Sequence, residues 1–393
     1  MSSAVTSRVP RISAVLRERE SVTPLELFFD LVFVLALTQC TALMADTPTW
    51  EGLAKGLLVL GVLWWCWVGY AWLTSVVDPE EGAVRLAIFA AMAGLLVAAL
   101  CVPEVFDETG LLFACAYAVV RAAHIALFVV ASRDDPGLRR STTGLGVSTA
   151  IAAGVLIAAS FTDGTLQGGL WAVALVLDMG GPLLAEVEGW KLQPAHFAER
   201  HGLILIIALG ESIVAIGVGA EAAVDAGVVV AAVLGTIVAA ALWWLYFDVV
   251  ALVAARRLSR AEPGREQNSV ARDSYSLLHF PMVAGIVLLA LGMKKTLAHV
   301  EDPLKLVPTV ALLGGTAVYL LAHVAFRWRN IHTFNVHRSL TALLLVALVP
   351  LGVELPSLAL LAILAAVLVA LVTYETRRFG ELRDRLRHQV VEH

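Results

Sequence analysis

Three charged side chains, Arg121, Asp178 and Glu211, each lie about ten residues inside long apolar runs. A charge at that depth in a bilayer costs roughly 2.5–3.5 kcal/mol on insertion-based scales, and it persists where pairing or function recovers the cost. One guanidinium neutralises one carboxylate, so one acid is left over. That acid must be protonated, hydrogen-bonded by neutral donors, or matched to a bound cation or proton pathway. Two arrangements meet the requirement. In one, a buried Arg121–Asp178 pair fixes helix packing beside a neutral Glu211. In the other, a polar cavity conducts ions, with Glu211 binding a proton or cation and Arg121 acting as counter-charge to Asp178. Tyr117 at i−4 and His124 at i+3 share a helical face with Arg121. The pattern recurs as Tyr319, His323 and Arg327 in steps of four. Gln39, polar within the first apolar run, completes this candidate midplane set.

A second set lies nearer the run ends. Glu26 and Asp30 share one helical face, while Gln39, nine residues beyond Asp30, points to the opposite side. The segment HFAERH, His196 to His201, brings His196, Glu199 and Arg200 to the start of a later run. Asp248 ends the segment WWLYFD, and His279 follows Tyr275 at the opening of the next run. This set reads either as helix-terminus complementarity, with Arg200 paired to Glu26 or Asp30, or as an inner vestibule whose acids concentrate cations. Catalytic patterns are thin: the chain has no P-loop, no GxSxG and no HExxH, and Ser212 is a lone hydroxyl without a placed base. Cys40, Cys66, Cys101 and Cys115 sit in apolar runs without CxxC or Cys/His spacing. The expectation is a protein that is not an enzyme and uses neither metal nor cofactor.

The elements that must position these groups follow from composition. Of 393 residues, 59% are apolar and 16% charged, against roughly 25% charged in a soluble domain. Apolar runs recur at about 25–45, 52–73, 84–103, 110–131, 141–160, 168–188, 200–220, 226–253, 275–298, 304–326, 338–353 and 357–374, each near bilayer length. The fold expected is therefore all-α, a polytopic helical membrane protein of about twelve transmembrane helices. With the N-terminus inside, 23 of the 28 Lys and Arg fall in cytoplasmic segments, which puts both termini in the cytoplasm and the chain in the cell membrane. Residues 1–22 read as a cytoplasmic arm and residues 376–393 as an arginine-rich cytoplasmic tail. The basic loop from Ala254 to Ser274 and that tail are expected to touch anionic lipid. Nothing supports nucleic-acid binding, and oligomeric state is not readable.

A duplication organises the runs. LVFVLALTQ (31–39) aligns without a gap on LILIIALGE (203–211), placing Gln39 on Glu211. Trp64-Trp65 answers Trp243-Trp244, FAAMAG (89–94) answers FPMVAG (280–285), AHIA (123–126) answers AHVA (322–325), and Arg140-Ser141 answers Arg338-Ser339. The ordered matches divide the chain into six-helix repeats at 23–190 and 191–375, entering the membrane from the same side and related by an axis along its normal.

The segments TPLELFFDLVFVLALTQ, HFAERHGLILIIALGESIVAIGVG, WWLYFD and YSLLHFPMVAGIVLLALG resemble the bacterial low temperature requirement protein A family. That resemblance implies a multi-spanning membrane protein named for a cold-growth phenotype. The FFD of the first run is also similar to the FSD signature of potassium channels built from six-helix units. Here Phe29 stands at the serine position, and Arg200-His201-Gly202 occupies the corresponding place in the second repeat. The functional expectation is translocation of a proton, a monovalent cation or a small solute through a polar centre between the halves. The alternative is a membrane scaffold or stress-related sensor acting through the basic loop and tail.

Overall fold

The structure, a computed structural model, describes residues 21–184, 189–219 and 225–380. Most of the expected N-terminal arm and tail, residues 1–20 and 381–393, lie outside the described residues. The described chain is all-helical. The first half runs α1 (Pro24–Asp46), α2 (Trp50–Val76), α3 (Gly82–Cys101), α4 (Gly110–Ala131), α5 (Pro136–Ala159) and α6 (Gly164–Leu184). The second runs α7 (Pro194–Gly219), α8 (Ala226–Phe247), α9 (Val250–Arg260), α10 (Arg265–Val270), α11 (His279–Ala298), α12 (Leu306–Ile331), α13 (Val336–Ala347), α14 (Val349–Gly352) and α15 (Ser357–Arg378). Among the described residues ten helical spans are long and apolar enough to cross a bilayer. Outside that count stand α6, which carries Asp178 and Pro182 within its turns, and α13 with α14, parted at Leu348 just before Pro350.

Local chemistry sets several helix starts. Pro24 occupies the first turn of α1, where a missing N–H costs nothing. Thr23 and Glu26 close a capping box: Glu26 Oε2 accepts from the Thr23 backbone N–H at 2.9 Å, and Thr23 Oγ1 accepts from that of Glu26 at 3.4 Å. Glu26 is thereby fixed with its other oxygen available to neighbouring helices. The stretch expected as a basic loop, 254–274, is instead helical: α9 buries Ala254 and Leu258 while its arginines face outward, and Asp273 binds Arg329 of α12 at 3.0 Å. Its apolar spacing was hidden by the surrounding arginines.

The core lies around α2, α11 and α12. The spans containing them bury 78%, 72% and 72% of their apolar windows, against 39–50% for the rest. Backbones of α11 and α12 touch: a Cβ on Gly285 would lie 2.6 Å from the Gly315 carbonyl oxygen. In the first half α1 packs on α2 and α3, α3 on α4, α4 on α5, and α2 on α6. In the second, α7 packs on α8 and α11, α11 on α12, α12 on α13, and α8 on α15. The halves meet where α1 and α2 lie against α7 and α11. A π-helical turn at 271–277 precedes α11 and is fastened to α2, because Trp64 and Trp72 both donate indole N–H bonds of 2.9 Å to Ser276.

Candidate functional site

Buried charge gathers in three places. The first is enclosed by α4, α5 and α6. Arg121 Nη2 donates to Asp178 Oδ1 at 2.7 Å and to Thr149 Oγ1 at 2.8 Å, and the Tyr117 hydroxyl donates to Asp178 Oδ2. Arg121 and Asp178 are almost wholly buried. Arg121 Nη1 lies 3.3 Å from His124 Nδ1, and Gly69 of α2 makes room for the guanidinium, since a Cβ there would fall 2.5 Å from Nη1. The cavity beside the pair is only about 40 Å³. Both carboxylate oxygens are bonded and the charges cancel, so this group locks three helices together.

The second place is the seam between α1 and α7. Arg200 Nη1 donates to Glu26 Oε1 at 3.1 Å and to Thr74 Oγ1 at 3.1 Å; Nη2 donates to Asp30 Oδ1 at 2.6 Å. His196 Nε2 meets Glu26 Oε1 at 2.8 Å, and the Trp67 indole donates to Asp30 Oδ1 at 2.8 Å. The guanidinium also lies 5.5 Å from the Trp67 ring centroid. Farther along the same seam is Glu211, 1% exposed. Its Oε2 accepts from Thr38 Oγ1 of α1 at 2.5 Å, and the Thr41 hydroxyl also interacts with it. Among the described residues Glu211 makes no ion pair; Lys294 is the cation whose field reaches it. Among the described residues, three carboxyl groups therefore share this seam with one guanidinium and with His196.

The expected midplane set is thus divided. Arg121, Asp178, Tyr117 and His124 come together, whereas the bonds of Glu211 go to α1, because α7 turns that residue toward the seam. Gln39 is half-buried on α1 and is not among the bonded partners of either group. The inner set divides too. Glu26, Asp30, His196 and Arg200 converge. Glu199 accepts from the Val22 backbone N–H at 3.0 Å and lines an open groove of about 500 Å³ with Arg256 and Arg260. His279 meets the Tyr246 hydroxyl at 2.8 Å, and Asp248 lines a different cavity.

The third place was legible only through His323, which stands in the stripe with Tyr319 and Arg327. Arg338 of α13 forms a two-pronged pair with Glu375 of α15, Nε to Oε1 at 3.0 Å and Nη2 to Oε2 at 2.8 Å. His323 Nδ1 lies 2.8 Å from Nη1, and Asn335 Nδ2 donates to Glu375 Oε1 at 3.1 Å. A cavity of about 180 Å³ opens beside it. Arg338 reads as a loop residue and Glu375 as the end of the last run; the signal available was the alignment of Arg140-Ser141 on Arg338-Ser339. Among the described residues no group of three or more His, Cys, Asp or Glu is arranged to hold a metal ion.

Comparison with known proteins agrees with the segments that carry the resemblance. The family model for the bacterial low temperature requirement A protein matches residues 21–373. The uncharacterized protein RA0937 of Rhizobium meliloti (strain 1021) is 32% identical over 310 residues, covering 75% of this chain and 74% of its own length. No solved structure matches. With its many apolar spans and a match over nearly its whole length, the chain is a multi-spanning membrane protein that belongs to the bacterial low temperature requirement A family.

Proposed function

We propose that the protein moves a proton or a monovalent cation across the membrane along the α1–α7 seam, with Glu211 as the binding acid. The observation that carries this reading is the charge balance there: among the described residues Glu211 is buried and answered by threonine hydroxyls, not by a guanidinium. A buried carboxyl with neutral partners exchanges a proton or binds a cation at far lower cost than one locked in an ion pair. On this reading the seam is closed in the conformation described. Arg200 bridges Glu26 and Asp30 at one end of the seam, and ions reach Glu211 when α1 and α7 part and that bridge opens.

Two six-helix repeats in parallel orientation suit this scheme, with α6 and the α13–α14 pair completing twelve crossings and both termini in the cytoplasm. The parallel order of helix neighbours supports the duplication, as does the recurrence of an arginine, a carboxylate and a histidine in each half: Arg121, Asp178 and His124, then Arg338, Glu375 and His323. The first helices of the two repeats, α1 and α7, would form the pathway together.

The test is flux in proteoliposomes of purified protein under an imposed proton, potassium or sodium gradient. Wild type is expected to dissipate at least one gradient, and Glu211→Gln, reconstituted at the same density, to dissipate none. Equal flux in both would end the reading.

A further inference from the structure

Thr38 and Thr41 of α1 face more acceptors than they have hydrogens. Each hydroxyl lies 3.1 Å from the carbonyl oxygen four residues back, that of Val34 and that of Leu37, a common bond for a threonine inside a helix. Each also meets Glu211: Thr38 Oγ1 stands 2.5 Å from Oε2, and the Thr41 hydroxyl bonds the same carboxyl. A hydroxyl carries one hydrogen and two lone pairs, so it donates once and otherwise accepts. An ionised Glu211 could only accept, and the Thr38 hydrogen would then be claimed by both Val34 and the carboxylate. A proton on Glu211 removes that conflict. The carboxyl O–H donates to Thr38 Oγ1, and the Thr38 O–H stays on Val34. Sodium and potassium, by contrast, are held by a shell of oxygens with the ion between them. Two oxygens 2.5 Å apart are at hydrogen-bond distance and leave no seat for such an ion between them. Among the described residues, the titratable groups that interact with Glu211 through their charge are Cys40 of α1 and Lys294 of α11, and neither forms an ion pair with it.

We infer that the Glu211 site holds a proton, not sodium or potassium, and that Thr38 is the positioning residue that makes it selective. The inference deepens the transport reading and rests on it only for movement across the membrane. The step balances. When the seam opens, the Glu211 O–H bond breaks, its electron pair stays on the carboxylate, and the proton passes to a water entering the seam. The Thr38 hydrogen then turns from the Val34 carbonyl to the carboxylate, which stabilises the charge left behind. Reprotonation reverses both moves. Thr38 keeps its own hydrogen throughout, so it supplies an acceptor to the neutral acid and a donor to the ionised one.

The experiment is infrared difference spectroscopy of the purified full chain in lipid bilayers at neutral pH, read in the protonated-carboxyl region in light and heavy water. Proton, potassium and sodium flux are measured on the same preparation. Wild type minus Glu211→Gln is expected to show a protonated carboxyl band that shifts in heavy water and is unmoved by added sodium or potassium. Thr38→Val keeps the shape but loses the hydroxyl; it is expected to move that band to higher wavenumber and to cut proton flux about tenfold, the worth of one hydrogen bond to the ionised acid. Thr38→Ser restores both, which separates lost chemistry from lost fold. Absence of a Glu211-dependent band, its loss on adding sodium or potassium, or a Thr38→Val variant that matches wild type in band and flux overturns the inference. The two readings fail separately: a band without flux of any ion removes the transport reading and keeps the protonated site, whereas sodium or potassium flux without the band removes this inference and keeps transport.

Discussion

Asp178 and Glu211 are two acids at similar depth in their helices and nearly equal burial, yet their surroundings differ. Asp178 accepts from Arg121, Thr149 and Tyr117, so its charge is cancelled and its lone pairs are used. Glu211 has threonine hydroxyls and no ion pair among the described residues. On the proposed reading, the partner and not burial alone separates the functional acid from the structural one. A carboxylate held by a guanidinium fixes architecture, while one held by hydroxyls keeps two protonation states within reach.

The contrast can be broken at its strong end. Asp178→Leu leaves Arg121 buried without its counter-charge and is expected to cost about 3–5 kcal/mol, seen as a large fall in the thermal midpoint in detergent. Replacing both partners, Arg121→Leu with Asp178→Leu, is expected to recover most of that loss, because neither charge then remains to be desolvated. Full loss in the double variant would mean that the pair does more than neutralise itself. The matching removal in the second half, Glu375→Leu, is expected to cost less, about 1–3 kcal/mol, since the cavity beside Arg338 admits water to the stranded guanidinium. Thermal midpoints of the two single variants compare the nodes directly.

Smaller effects sharpen the comparison. Gly69→Ala would place a Cβ 2.5 Å from Arg121 Nη1 and is expected to destabilise by about 1–3 kcal/mol through overpacking, while flux per folded molecule stays unchanged. Glu211→Gln is expected to shift stability least, within about 1 kcal/mol, because an amide of the same shape still accepts from Thr38. Its effect on flux is expected to be complete, so the variant with the mildest thermal signature has the strongest functional one.

Much of this was legible in the chain. Apolar runs and the inequality of acid and base at depth follow from residue type and position, and opposite sign at similar depth pairs Arg121 with Asp178. The separation of Glu211 from that pair was not legible, because helical spacing tells which residues share a face but not which helix the face meets. Arg338 was hidden for another reason. A guanidinium two residues into a helix reads as a loop charge until its partner, Glu375, is brought to it from another helix. The amphipathic α9 was obscured in the same way by Arg256, Arg257 and Arg260, whose charge masks the buried Ala254 and Leu258.

The most direct test places the two acids side by side in one flux assay. Wild type, Glu211→Gln and the Arg121→Leu/Asp178→Leu double variant are reconstituted at equal density and challenged with the same proton and potassium gradients. The account predicts transport in wild type and in the double variant, and none in Glu211→Gln. Transport that survives in Glu211→Gln, or that vanishes in a folded double variant, would contradict it.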